Sequence, residues 1–127
     1  MQIFITGTIA IDPDRRDALL AAIGPLVRAT RDEEPGCLEY AFTADTVEDD
    51  RIVVLERWRD EATLAAHFEH PNFIATKSTL HEYGSGASVI NKYRVDLSEP
   101  LRDSERRYRA DFFTAVDDTV VDDVAAD

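Results

Sequence analysis

This sequence predicts an α+β fold of the ferredoxin-like kind, β-α-β-β-α-β with an antiparallel sheet. Three observations carry that expectation: four segments with strand alternation, helical stretches after the first and third of them, and a polar loop joining the middle two strands. A chain of 127 residues has room for one domain with a substantial core and too little for two. The domain is expected over residues 1–97, followed by an extension over 98–127 whose acidic end is expected to be disordered.

"QIFITGTIAI" is rich in β-branched residues and places Ile3, Ile5, Ile9 and Ile11 on one face, so it reads as the first strand. Gly7 interrupts that face and marks a bulge or a close approach to the backbone. Asp12-Pro13 opens a helix with a capping side chain followed by proline at the first helical position. Leu19, Leu20, Ile23, Leu26, Val27 and Thr30 form its apolar stripe, Gly24-Pro25 predicts a kink, and Pro35-Gly36 ends it. "CLEYAFTAD" alternates Leu38, Tyr40 and Phe42 against Cys37, Glu39 and Ala41, and "IVVLERWR" follows the polar "TVEDDR", which makes the pair an antiparallel hairpin. Asp60 caps a short helix to about Glu69, Pro71 restarts the chain, and residues 72–82 are helical again until Tyr83-Gly84-Ser85-Gly86. "ASVINKYRVDL" is the fourth strand, and the segment after Pro100 is read as an added strand or helix.

A sheet covered by helices on one face should alternate cleanly, yet Val53, Val54 and Leu55 are consecutive, and Phe4 and Ala10 lie opposite the isoleucines. Both faces therefore need cover. A second copy packing sheet to sheet, giving a homodimeric α/β barrel, is the expected source; the alternative is that residues 100–116 fold back over the sheet.

The formal charge of −12, from 14 basic and 26 acidic residues, repels nucleic acid and anionic membranes, so neither is an expected partner. Cys37 is the single cysteine, which excludes an internal disulfide. The opening residues lack a signal-peptide pattern and no apolar run approaches the ~20 residues of a membrane span, so a cytoplasmic location is expected.

Glu34, Gly36, Cys37 and Tyr40 in the turn into the second strand, Glu56-x-Trp58 ending the third, and His67 before Pro71-Asn72-Phe73 together form a pattern. It resembles that of the antibiotic biosynthesis monooxygenase domain family over roughly residues 1–97. The resemblance implies a dimeric ferredoxin-like protein, and activities that range over cofactor-independent oxidation of quinol-like aromatics, haem degradation and isomerisation of a small molecule. The asparagine, tryptophan and histidine of the haem-degrading branch fall here on Gly7, His67 and Lys77, so that branch is disfavoured.

His67 borders the buried face of its helix and His70 looks outward. Two histidines at i and i+3 lack the third ligand of a stable metal site, so no metal is expected; no glycine-rich phosphate loop or dinucleotide fingerprint appears, and the oxidation the resemblance implies needs no flavin, so no cofactor is expected. His67 is either a buried histidine bonded to a neighbour or a base for a phenolic hydroxyl. Glu56 is the second catalytic candidate, because a carboxylate among apolar neighbours is costly unless paired; its alternative is an ion pair with a neighbouring Arg57 or Arg59. Gly7, Trp58, Phe68, Phe73, Lys77, Asn91 and Tyr93 are the expected substrate-binding residues, with core packing for Trp58 and snorkelling for Lys77 as the competing accounts. The expected function is cofactor-independent oxidation of a small aromatic quinol or polyketide-like substrate by molecular oxygen. A non-catalytic binder of small ligands, or an isomerase, is the alternative.

Overall fold

A computed structural model of the chain describes residues 1–114. Expectations about residues 115–127, the acidic end among them, lie outside the described residues. The elements run β1 (Gln2–Ala10), α1 (Pro13–Glu33), β2 (Cys37–Ala44), β3 (Arg51–Trp58), α2 (Glu61–Glu69), α3 (Pro71–Glu82) and β4 (Ser88–Val95). The sheet order is β2-β3-β1-β4 with every neighbouring pair antiparallel, the ferredoxin-like arrangement that the element pattern predicts.

Register decides which residues meet the helices. Ile3, Ile5, Gly7 and Ile9 of β1 stand opposite Trp58, Glu56, Val54 and Ile52 of β3. Directly opposed residues of an antiparallel pair share a face, so this set lies together beneath the helices. The core divides into two parts: Ile9, Ile11, Ile52 and Val54 against Leu19 and Ile23 of α1, and Ile3, Ile5, Tyr40 and Trp58 against Leu64 of α2. Asp12 caps α1 by accepting from the Asp14 backbone N–H at 2.9 Å. Pro25 lies inside α1, where it removes one backbone donor; the helix continues to Glu33.

The outer face of the sheet carries Phe4, Thr6, Thr8, Val53, Leu55, Val89, Asn91 and Tyr93, as the register dictates. Leu55, Val89 and Tyr93 are exposed there. Residues 98–114 form neither a strand nor a helix of their own; they turn around one isolated bridge between Arg102 and Tyr108. Asp103 organises that turn by accepting from the backbone N–H groups of Glu105 and Arg107 and pairing with Arg107 and Arg109. Every hydrogen bond this segment makes among the described residues stays within 99–114, and Leu55, Val89 and Tyr93 of the outer sheet face stay exposed beside it. Among the described residues no helix is long and apolar enough to cross a membrane.

Candidate functional site

The chain leaves α1 at Glu34, whose extended backbone points it into the Pro35-Gly36 turn. Gly36 has φ of +83°, and a Cβ there would sit 2.4–2.6 Å from Thr63 side-chain atoms, so glycine is required both for the conformation and for seating the turn against α2. The Arg59 backbone N–H donates to the Gly36 carbonyl at 2.8 Å and ties the same turn to the end of β3. Thr63 in return forms a capping box with Asp60, which starts α2 at this point.

The turn delivers the Glu34 side chain into the junction of the helices. Its Oε1 lies 2.6 Å from His67 Nδ1 and its Oε2 accepts from Asn72 Nδ2 at 3.1 Å. His67 is 1% exposed and ringed by Tyr40, Trp58, Phe68 and Phe73, with Trp58 nearest at 4.5 Å between ring centroids. Burial holds its pKa below the ordinary histidine value, and the hydrogen bond and charge of Glu34 offset part of that. A neutral imidazole with Nδ1–H donating to Glu34 satisfies this arrangement. Its Nε2 is then a buried acceptor with no hydrogen-bond partner among the described residues.

Beside this cluster, between the sheet and α3, lies a cavity of about 210 Å³. Tyr40, Val54 and Glu56 lie on its sheet side, with Phe73, Thr76 and Lys77 contributed by α3. Glu56 is only 9% exposed, and the one hydrogen bond to its carboxyl among the described residues comes from Trp58 Nε1 at 2.9 Å. Burial raises its pKa, the indole N–H lowers it in part, and the charge of Glu34 adds to the rise. Burial likewise pushes the Tyr40 hydroxyl up. Lys77 reaches over the Phe73 ring, 5.4 Å from its centroid. The cavity thus combines apolar walls, a carboxyl able to take up a proton, and an ammonium group.

The structure brings together Glu56, Trp58, Phe73 and Lys77. His67 is close by but enclosed: it does not border the cavity, because α2 presses it onto Trp58 and between the aromatic rings. Glu56 pairs with neither Arg57 nor Arg59, since adjacent strand residues point to opposite faces; Arg57 instead reaches Glu39 and Gln2. Gly7 does not leave open room over β1. A Cβ there would lie 2.1 Å from the Val89 carbonyl oxygen and 2.6 Å from Ile90 Cα, so β4 occupies the space. Asn91 and Tyr93 share a strand face as expected, but it is the outer one, set by their opposition to Thr6 and Phe4. Phe68 is half exposed and belongs to a separate groove between α2 and β4. His70 caps α3, its Nδ1 accepting from the Asn72 backbone N–H at 3.0 Å. The partnership of Glu34 and Asn72 with His67 was invisible in the sequence. The Glu34–His67 contact spans 33 residues, and the only local signal at Glu34 is the turn that follows it.

Comparison with known proteins places these observations. Residues 2–78 match the family described as Antibiotic biosynthesis monooxygenase. The uncharacterized protein sll1783 of Synechocystis is 35% identical over 78% of this chain and 67% of its own length. The candidate monooxygenase YcnE of Bacillus subtilis is 32% identical over 76% of this chain and 99% of its own. A crystal structure of a candidate antibiotic biosynthesis monooxygenase from Caulobacter crescentus superposes with a TM-score of 0.68 at 26% identity, covering 77% of this chain and 91% of that one.

Proposed function

The chain belongs to the antibiotic biosynthesis monooxygenase family, and from that membership we propose that it oxidises a small aromatic quinol with molecular oxygen, without a tightly bound cofactor, as a homodimer. The observation that carries the reading is Glu56: a buried carboxyl, raised in pKa and held by the Trp58 indole, on the wall of a cavity otherwise largely apolar.

In the proposed reaction Glu56 accepts the proton of a substrate hydroxyl. The resulting quinolate gives one electron to oxygen far more readily than the neutral quinol does. Recombination of the radical pair at a ring carbon forms a hydroperoxide, and loss of water leaves a hydroxyquinone. One oxygen atom enters the ring, the other leaves as water, and the substrate supplies all the electrons. Val54 and Leu80 line the inner part of the cavity with apolar surface around the charged intermediate. His67, fixed by Glu34 and stacked near Trp58, is a positioning residue that holds the indole whose N–H orients the Glu56 carboxyl. The homodimer is supported by the outer face of the sheet, where Leu55, Val89 and Tyr93 are exposed beside the half-buried Phe4 and Val53.

The test is oxygen uptake by chelator-treated protein supplied with a panel of aromatic quinols, alongside Glu56→Gln. Uptake above the autoxidation blank is expected, falling by about 10²-fold in the variant. Ligands that raise the melting temperature with no uptake at all would replace the enzyme by a binding protein. Undiminished uptake in Glu56→Gln would remove the carboxyl from the chemistry.

A further inference from the structure

We infer that the cavity selects a single-ring hydroxylated aromatic bearing an anionic substituent, with Lys77 holding the anion and Glu56 facing the hydroxyl; this rests on the quinol reading for the identity of the ring and its hydroxyl.

Size is the first argument. The cavity measures about 210 Å³, below the roughly 300 Å³ at which clefts for drug-sized ligands begin. One substituted ring is accommodated within such a space, whereas three fused rings would have to project past its rim. Its floor cannot deepen easily, because Tyr40 and Val54 are core residues packed against β1 and α1.

Charge is the second. Lys77 is the cation that lines the cavity, and it forms no salt bridge among the described residues. It is exposed, so it stands at the rim, while Glu56 is buried at the floor. A carboxylate entering floor-first would meet the Glu56 carboxyl and lose its hydration without gaining a partner. Entering with the carboxylate at the rim, it keeps water on one side and gains the ammonium on the other. The hydroxyl end is then driven inward toward Glu56. On a chain of net charge −12, Lys77 is the cationic group among the residues lining this opening, and it gives an anionic ligand a partner there. The Lys77 ammonium lies over the Phe73 ring, 5.4 Å from its centroid, which holds it at the opening of the cavity.

Three probes separate the alternatives: 2,5-dihydroxybenzoate, its neutral analogue methylhydroquinone, and the three-ring anthrone. Dissociation constants are measured by calorimetry and turnover by oxygen uptake, for the wild-type protein and Lys77→Gln, an exposed helical substitution that preserves the fold. The carboxylate is expected to bind about fivefold to tenfold more tightly than the methyl compound at low salt, the preference collapsing in Lys77→Gln and shrinking as salt rises. Anthrone is expected not to bind. Equal affinity for carboxylate and methyl compounds, a preference that survives Lys77→Gln, or tight binding of anthrone would each overturn the inference. Selective binding of the carboxylate without oxygen uptake would uphold it while refuting the oxidation. Uptake with all three probes, indifferent to Lys77, would do the reverse.

Discussion

Replacing Gly7 by alanine is expected to destabilise the protein by about 2 kcal/mol, a figure that follows from two opposed effects. Alanine narrows the unfolded ensemble and by itself favours a strand by about 0.5–1 kcal/mol relative to glycine. Against that, the new Cβ would lie 2.1 Å from the Val89 carbonyl oxygen, 2.6 Å from Ile90 Cα and 2.9 Å from Ile90 Cγ1. Two of these three are backbone atoms of a hydrogen-bonded neighbouring strand, so relief requires β4 to shift as a unit, at the upper end of the ~1–3 kcal/mol that overpacking costs. The net loss corresponds to a melting temperature lower by about 8 °C for a chain of this size. Urea titration followed by Trp58 fluorescence measures the stability, and amide exchange along β4 shows whether the strand has loosened. Gly86→Ala is the matched control: its Cβ would meet Ala10 only at ordinary contact distances of 3.6–3.8 Å, so stability should be unchanged or rise slightly. A Gly7→Ala protein as stable as the wild type, with β4 fully protected, would refute the claim that the close approach of β4 dictates glycine here.

Two further outcomes follow from burial. Because the folded-state pKa of Glu56 is raised, the folded protein binds that proton more tightly than the unfolded chain does; its contribution is complete below the unfolded pKa and lost as pH rises through the folded one. Glu56→Gln, which never ionises, should therefore gain stability over the wild type with rising pH; thermal melts from pH 4.5 to 9 check it, and a gap independent of pH would contradict the assigned ionisation. Leu55 stands opposite Thr6 and Ala41 at the middle of the outer sheet face, so the proposed homodimer predicts a dimeric mass for the wild type in light scattering and a monomeric one for Leu55→Asp with far-UV circular dichroism intact; a monomeric wild type would refute the proposal.

Much of the architecture is determined by the sequence alone. The alternation of Ile3, Ile5, Ile9 and Ile11, the Asp12-Pro13 and Asp60 caps, and the Pro35-Gly36 turn are local signals, because hydrogen-bonding geometry and side-chain direction repeat every two or 3.6 residues. The placement of Glu56 beside Trp58 on the helix side is also local, since residues two apart on a strand share a face. What tertiary structure decided is which side each strand presents and what lies across from it. Asn91 and Tyr93 read as pocket residues until the pairing of Gln2 with Val95 turned them outward, and a one-residue change of register would have reversed them. Gly7 signalled a close approach, but only the sheet order β3-β1-β4 shows that β4 makes it. His67 lay at the border of its helix face, and whether a border histidine opens to a cavity or closes against rings depends on Glu34 and Trp58, brought to it by the turn after α1 and the end of β3. Periodicity records the environment a chain segment needs; which distant residue supplies it is settled only when the segments pack.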